Sequence, residues 1–200
     1  MRRLVMLSLL ILLSGLFVSS RFYPTLKRVE VRGNIHYSQD DIMRLANVAP
    51  GEPFFWVTRS RLKALAADPW INAVYVERHW PDTVIITVSE KSPSVTDGLR
   101  VYALDGTVLP GATRAEKSQL IRLSGWGEDR FEEALALLRQ VAEFGPKVLS
   151  YSPAGFQIQL AEAQLFTPSL ANLRAHWASF SSQQGTRVYV YPWGVSAAHD

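Results

Sequence analysis

The residues that could carry acid–base or nucleophilic chemistry occur in this sequence in arrangements that favour structure over catalysis. Asp40-Asp41 is the first paired carboxylate. Adjacent side chains at the start of a helix point apart and oppose the positive end of the helix dipole, so the pair reads as part of a cap. Glu132-Glu133 lies on the polar side of a helical pattern whose apolar side carries Phe131 and Leu135, which predicts two solvated carboxylates. The histidines His36, His79, His176 and His199 show no H-E-x-x-H or other ligand spacing. With no cysteine, thiolate zinc sites, disulfides and thiol nucleophiles are excluded. There is no G-x-S-x-G elbow and no S-x-x-K within an apolar helix, and Gly125-Trp126-Gly127 suits a turn better than a phosphate loop. No catalytic residue, metal or cofactor is expected, and Asp41, His79 and Glu90 should each be replaceable without loss of the fold. A secreted enzyme would need a site that motifs do not reveal.

The elements that would position any site begin with an apolar run. Leu4 to Val18 is interrupted only by Ser8, Ser14 and Gly15, and it follows Arg2-Arg3 directly. As a helix it would cover roughly 22 Å, short of a hydrocarbon core of about 30 Å. Extension through Ser19-Ser20, with Arg2, Arg3 and Arg21 reaching the head-group layers, would make a spanning anchor. The small residues after Val18 leave a cleavable secretory signal equally open. On either reading the basic end stays cytoplasmic and the chain from Phe22 onward lies outside the inner membrane. Three of the 21 Lys and Arg flank this run, so the remaining 18 balance the 18 Asp and Glu. A neutral body without a basic block argues against nucleic-acid binding.

Beyond the apolar run, periodicity gives a mixed α+β pattern. Leu26, Val29 and Val31 form a strand ending at Gly33-Asn34, and Ser38 with Asp41 makes a capping box for a helix bearing Ile42, Leu45 and Ala46 that ends near Pro50-Gly51. Thr58 is placed as the cap of a second helix with Leu62, Leu65 and Ala66 on one face, stopped by Asp68-Pro69. Val74 and Val76, then Val84, Ile86 and Val88, alternate as two strands around Trp80-Pro81-Asp82. Strand, helix, helix, strand, strand suffices for one small layered domain.

That order resembles a POTRA domain of the FtsQ/DivIB type. The resemblance is carried by Arg32-Gly33-Asn34, the exit from Leu65 to Pro69-Trp70, the run Val74-x-Val76-x-Arg78-x-Trp80-Pro81-Asp82, and Val88-x-Glu90-Lys91-x-Pro93. It implies a cytoplasmic stub over 1–3, a transmembrane helix over 4–20, a POTRA domain (β-α-α-β-β) over 24–93 and a mixed β-rich domain with two helical segments over 94–200. In the last part, Val101-Tyr102 and Thr107 to Pro110 flank an Asp105-Gly106 turn. Phe131, Ala134, Leu135, Leu138, Val141 and Ala142 mark one helix, stopped by Gly145-Pro146. Val148 to Tyr151 and Phe156 to Leu160 make a strand pair around Pro153-Ala154-Gly155. Thr167-Pro168 caps a helix lined by Leu170, Leu173, Trp177 and Phe180, and Arg187 to Tyr191 forms the last strand. The short stub and the early close after that strand would remove tail-dependent contacts of some relatives.

The resemblance further implies a non-catalytic divisome scaffold in the inner membrane at the septum. It would bind FtsB and FtsL, with FtsW, FtsI and FtsK as further partners, and link them to septal peptidoglycan synthesis. A POTRA docking module of another envelope complex is the alternative. Strand addition at a sheet edge fits such a role. The expected edge is Arg187 to Tyr191, with Tyr189, Tyr191 and Trp193 as aromatic anchors and Val188 and Val190 on the other face. Val76 and Arg78 of the POTRA module form a second expected docking strand, implicated by the resemblance in recruitment.

Overall fold

The computed structural model describes residues 2–20, 24–58, 60–117, 119–183 and 185–198. Arg21, expected at the outer end of the apolar run, and His199 lie outside the described residues. The chain divides into two compact units, Met1–Lys91 and Ser92–Asp200.

The first unit opens with α1 (Arg2–Ser20). Large apolar side chains from Val5 to Val18 are exposed all round this helix, so it has no single core-facing stripe. Ser8 and Ser20 each donate their hydroxyl to the carbonyl three residues back, at 2.9 and 2.7 Å, which satisfies those groups within the helix. Among the described residues no helix is long and apolar enough to cross a membrane. The expected span is therefore not met by helix length alone, because Val5 to Val18 covers only about 21 Å at the usual rise.

A three-stranded sheet follows, built from β1 (Arg28–Arg32), β2 (Ile71–His79) and β3 (Thr83–Glu90). The order is β1-β3-β2, with β1 parallel and β2 antiparallel to the central strand. Val84, Ile86 and Val88 point into a core shared with Val29, Ile42, Ala46, Leu62 and Leu65. The parallel pairing requires a crossover, which α2 (Gln39–Ala46), a 3-10 turn (Phe54–Trp56) and α3 (Lys63–Ala66) supply. At the end of β1, Gly33 adopts a φ of +80°, and a β-carbon there would stand 2.2 Å from the Val88 carbonyl oxygen. Only glycine lets the two strands approach so closely.

The capping box at Ser38 forms as expected: its hydroxyl accepts from the Asp41 amide while the Asp41 carboxylate accepts from the Ser38 amide. The Ser38 hydroxyl, which also donates to the Asp41 carboxylate at 2.5 Å, and then the Ser38 amide hold the Asp41 carboxyl below its ordinary range. Asn47, in the left-handed region at φ 51°, ends α2 before Pro50-Gly51. The second helix differs more from expectation. Thr58 does not cap it, its hydroxyl lying 2.7 Å from that of Ser60, and only Lys63–Ala66 is helical. Leu62 and Leu65 are buried but Ala66 is exposed, and Phe54 fills the core space that a longer helix would have taken.

Two carboxylates have structural duties here. Glu90 accepts from the backbone amides of Ile35, His36 and Tyr37 at 3.0, 2.5 and 3.3 Å, closing the β1–α2 loop onto the end of β3. The carboxylate, whose replacement is expected to leave the fold intact, thus supplies acceptors to three amides of one loop. Asp68 accepts from the Trp70 amide at 2.9 Å and from the Tyr37 hydroxyl at 3.0 Å. Burial, and then the bond to Asp68, pushes the Tyr37 hydroxyl up to about 12. A folded value above the unfolded one means that this stabilisation is complete below about pH 10 and is lost as pH rises towards about 12. Unfolding free energies of the parent and Tyr37→Phe should therefore fall differently across that interval, the parent more steeply. Parallel curves from pH 9 to 12 would contradict the assignment.

The second unit is one eight-stranded sheet in the order β11-β10-β9-β8-β7-β6-β4-β5. Its strands are β4 (Val95–Thr96), β5 (Val101–Tyr102), β6 (Ile121–Gly125), β7 (Val148–Ser152), β8 (Gly155–Gln159), β9 (Gln164–Thr167), β10 (Arg187–Tyr191) and β11 (Gly194–Ala198). Helices α4 (Arg114–Lys117), α5 (Phe131–Gln140), α6 (Leu170–Ala175) and α7 (Trp177–Ser181) complete it. Leu135, Leu138, Leu173 and Phe180 from three of these helices pack with Leu149, Ile158, Leu165, Val188 and Val190 from the sheet. Ala142 falls outside this core and is exposed, because α5 gives way to a 3-10 turn, Ala142–Phe144, before the left-handed Gly145. Thr167 ends β9 rather than capping a helix; Ser169 caps α6 by accepting from the Asn172 amide at 3.1 Å.

Glu133 is not the solvated carboxylate expected from its helical position. It accepts from the Arg130 guanidinium at 2.7 Å and from the Leu170 amide, the first residue of α6, at 2.8 Å. Arg130 also donates to the Pro168 carbonyl at 2.9 Å and lies 4.1 Å over the Phe156 ring. A residue on the polar side of α5 thus fastens the entry of α6.

Candidate partner-binding surface

β10 and β11 are joined by Pro192-Trp193, with Tyr191 opposite Gly194 and Tyr189 opposite Ser196. Strand alternation sends Val188 and Val190 into the helix-side core and Tyr189 and Tyr191 to the opposite face. On that face the rings stack in sequence. Phe166 and Tyr189 are 4.7 Å apart and nearly parallel, Tyr189 and Tyr191 6.3 Å, and Tyr191 and Trp193 5.2 Å. Exposure grows along the row, from the half-buried Tyr189 to Tyr191 at 38% and Trp193 at 80%. His176 reaches the hairpin tip, its Nε2 lying 3.2 Å from the Pro192 carbonyl oxygen.

The register extends this face across the sheet. Ser196, Tyr189, Phe166, Gln157, Ser150 and Ser124 lie side by side on β11, β10, β9, β8, β7 and β6. An open groove of about 660 Å³ is lined by all of these but Ser196, together with Trp126 and Tyr191. The Tyr151 ring packs directly over Gly125, where a β-carbon would stand 2.2 Å from it.

The strand expected at the edge is interior. β10 pairs on both sides, with β9 and with β11, so its backbone groups are committed. The edge is β11, whose sequence Gly-Val-Ser-Ala-Ala is poor in the branched and aromatic residues that mark strands. Pro192-Trp193-Gly194 is a turn signal that could have found it. Val188 and Val190 are buried and serve packing. Phe166, on β9, forms the inner end of the ring stack, a role that no motif in the sequence marks. In the first unit, Val76 and Arg78 do lie on a sheet edge, because β2 pairs only with β3. Val76 packs against the core beneath the helices while Arg78 is exposed, and Tyr75 is exposed on the opposite face.

The titratable groups considered first are dispersed. His36 stacks on Trp70 at 3.6 Å, and His79 lies 3.6 Å from the Glu77 carboxylate. Among the described residues, no three His, Asp or Glu come together in a way that could hold a metal. Asp97 is an exposed carboxylate at the rim of a cavity. Partial desolvation pushes it up, but the Arg100 amide, the Tyr102 hydroxyl and the Leu99 amide outweigh this and hold it below the ordinary range.

The first unit is a small β-sheet crossed over by two short helices, and a larger sheet unit with β11 at one edge follows it. Residues 25–91 match the family described as POTRA domain, FtsQ-type. Proteins named cell division protein FtsQ align as well. That of Geobacter sp. strain M21 is 29% identical over 112 residues, 54% of this chain and 41% of its own length. Those of Corynebacterium glutamicum and Neisseria meningitidis serogroup B are 30% and 34% identical, over 48% and 45% of this chain and 46% and 40% of their own lengths. These matches place residues 25–91 with the FtsQ-type POTRA family and support a likeness to FtsQ proteins over about half of the chain. The matched stretches span less than half the length of these relatives.

Proposed function

We propose that this chain is a non-catalytic scaffold of the bacterial division machinery that captures FtsB and FtsL by strand addition to β11. The observation that carries the reading is an open sheet edge lying beside a row of exposed stacked rings. Strand addition supplies backbone hydrogen bonds, and large flanking side chains exclude water from them and confer choice of partner. Tyr189, Tyr191 and Trp193 serve as those side chains, with Phe166 holding the inner end of the stack. The β2 edge with Val76 and Arg78 offers a separate docking strand, through which other division proteins such as FtsK would be recruited. FtsW and FtsI, the septal cell-wall synthases, would be regulated through FtsB and FtsL. The all-round apolar surface of α1 supports an inner-membrane anchor, with Arg2 and Arg3 cytoplasmic and the two folded units outside.

Cross-linking in dividing cells, followed by isolation of this chain from membranes, tests the reading. Recovery of FtsB and FtsL joined to residues of β11 is expected. Recovery of neither, from cells in which the chain localises normally, would reject it.

A further inference from the structure

We infer that the Phe54–Trp56 turn is a membrane-surface contact that seats the first unit in the lipid head-group layer. The inference rests on the reading of α1 as an anchor. Pro24 lies four residues beyond Ser20, and four extended residues reach at most about 14 Å. Pro24 and its neighbours are fastened in turn to the 51–54 segment. Phe54 donates its amide to the Pro24 carbonyl at 3.0 Å, Leu26 to Glu52 at 2.7 Å, and Gly51 to Leu26 at 2.7 Å. The aromatic turn is therefore tethered close to the end of α1 whatever path residues 21–23 take. Phe17 and Trp56 meet edge to face at 5.6 Å.

The chemistry of the turn suits that position. Phe54 is buried in the core and fixes the turn from within, leaving Phe55 45% exposed and Trp56 half-buried. Tryptophan and other amphipathic rings collect where hydrocarbon meets water, since each offers an apolar body at a wet boundary. Arg28, exposed at the start of the strand that leaves the tether, adds positive charge that suits anionic head groups, while the charge of Lys27 is paired with Asp82 at 3.1 Å. The turn also answers the shortness of the helix. Val5 to Val18 covers about 21 Å of a core of about 30 Å, and aromatic residues at the outer rim lengthen the apolar column.

The full chain has no cysteine, so a single introduced one can be labelled uniquely with a nitroxide. Leu10→Cys, Phe55→Cys and Tyr75→Cys variants would be reconstituted in phosphatidylethanolamine–phosphatidylglycerol vesicles and probed with oxygen against an aqueous nickel chelate. The oxygen-to-nickel accessibility ratio at position 55 is expected to exceed that at position 75 several-fold, with position 10 deeper still. A water-exposed position 10 would overturn the anchor and this inference with it. Position 10 in hydrocarbon, with positions 55 and 75 alike, would overturn the inference alone and assign the turn to water or to a protein partner.

Discussion

Trp193→Ala and Tyr191→Ala are each expected to weaken binding of an FtsB segment by more than tenfold while leaving thermal unfolding close to that of the parent. Truncating an interface anchor commonly costs about 2 kcal/mol or more, and a solvated rim residue much less. Both rings lie outside the core: Trp193 sits at the hairpin tip and Tyr191 faces away from the helices. Their stability contribution is confined to stacking at the surface. Tyr189→Ala should behave differently, lowering stability together with binding, because Tyr189 is half-buried between Phe166 and Tyr191. Isothermal titration with each variant, paired with a melting curve, separates the two patterns. Undiminished binding by folded Trp193→Ala and Tyr191→Ala proteins would remove this face as the capture site and transfer the assignment to the β2 edge.

Periodicity puts the free edge at Arg187 to Tyr191, whereas the sheet ends one strand later, at β11. Arg187 to Tyr191 alternates large residues, the usual mark of a strand with two different environments, and it is indeed such a strand. Alternation reports which face a side chain takes. It says nothing about whether both backbone edges are paired, and that property depends on a neighbour as plain as Gly194–Ala198. The rings were placed on the correct strand for that reason, while the free edge was assigned one strand too early. Where local chemistry and fold agree, the sequence is legible to the residue: the Ser38–Asp41 box and the alternation in the hairpin of β2 and β3 depend on contacts between near neighbours along the chain. The short second helix of the first unit was overread because Thr58 resembles a cap, whereas Phe54 takes the core space.

The same limit explains Glu133, whose partners lie up to 37 positions away. Helical periodicity puts it on the polar side of α5, and there a single glutamate normally contributes within about 0.5 kcal/mol of nothing. The folded chain brings the first turn of α6 over that side, so one carboxylate oxygen meets the Leu170 amide while the other neutralises Arg130. Glu133→Ala would then leave a partly buried guanidinium without its counterion and a helix amide without its acceptor. A hydrogen bond to a charged group contributes about 1.5–3 kcal/mol, so a loss of about 2–3 kcal/mol is expected in chemical denaturation. Glu133→Gln keeps an acceptor for Leu170 but removes the charge, and should recover part of that loss. The effect should also persist at high salt, since the amide bond owes little to long-range attraction that mobile ions could screen. A Glu133→Ala protein as stable as the parent would mean that Ser169 and the packing of Leu173 suffice to hold α6 on the sheet beneath the ring-bearing strands.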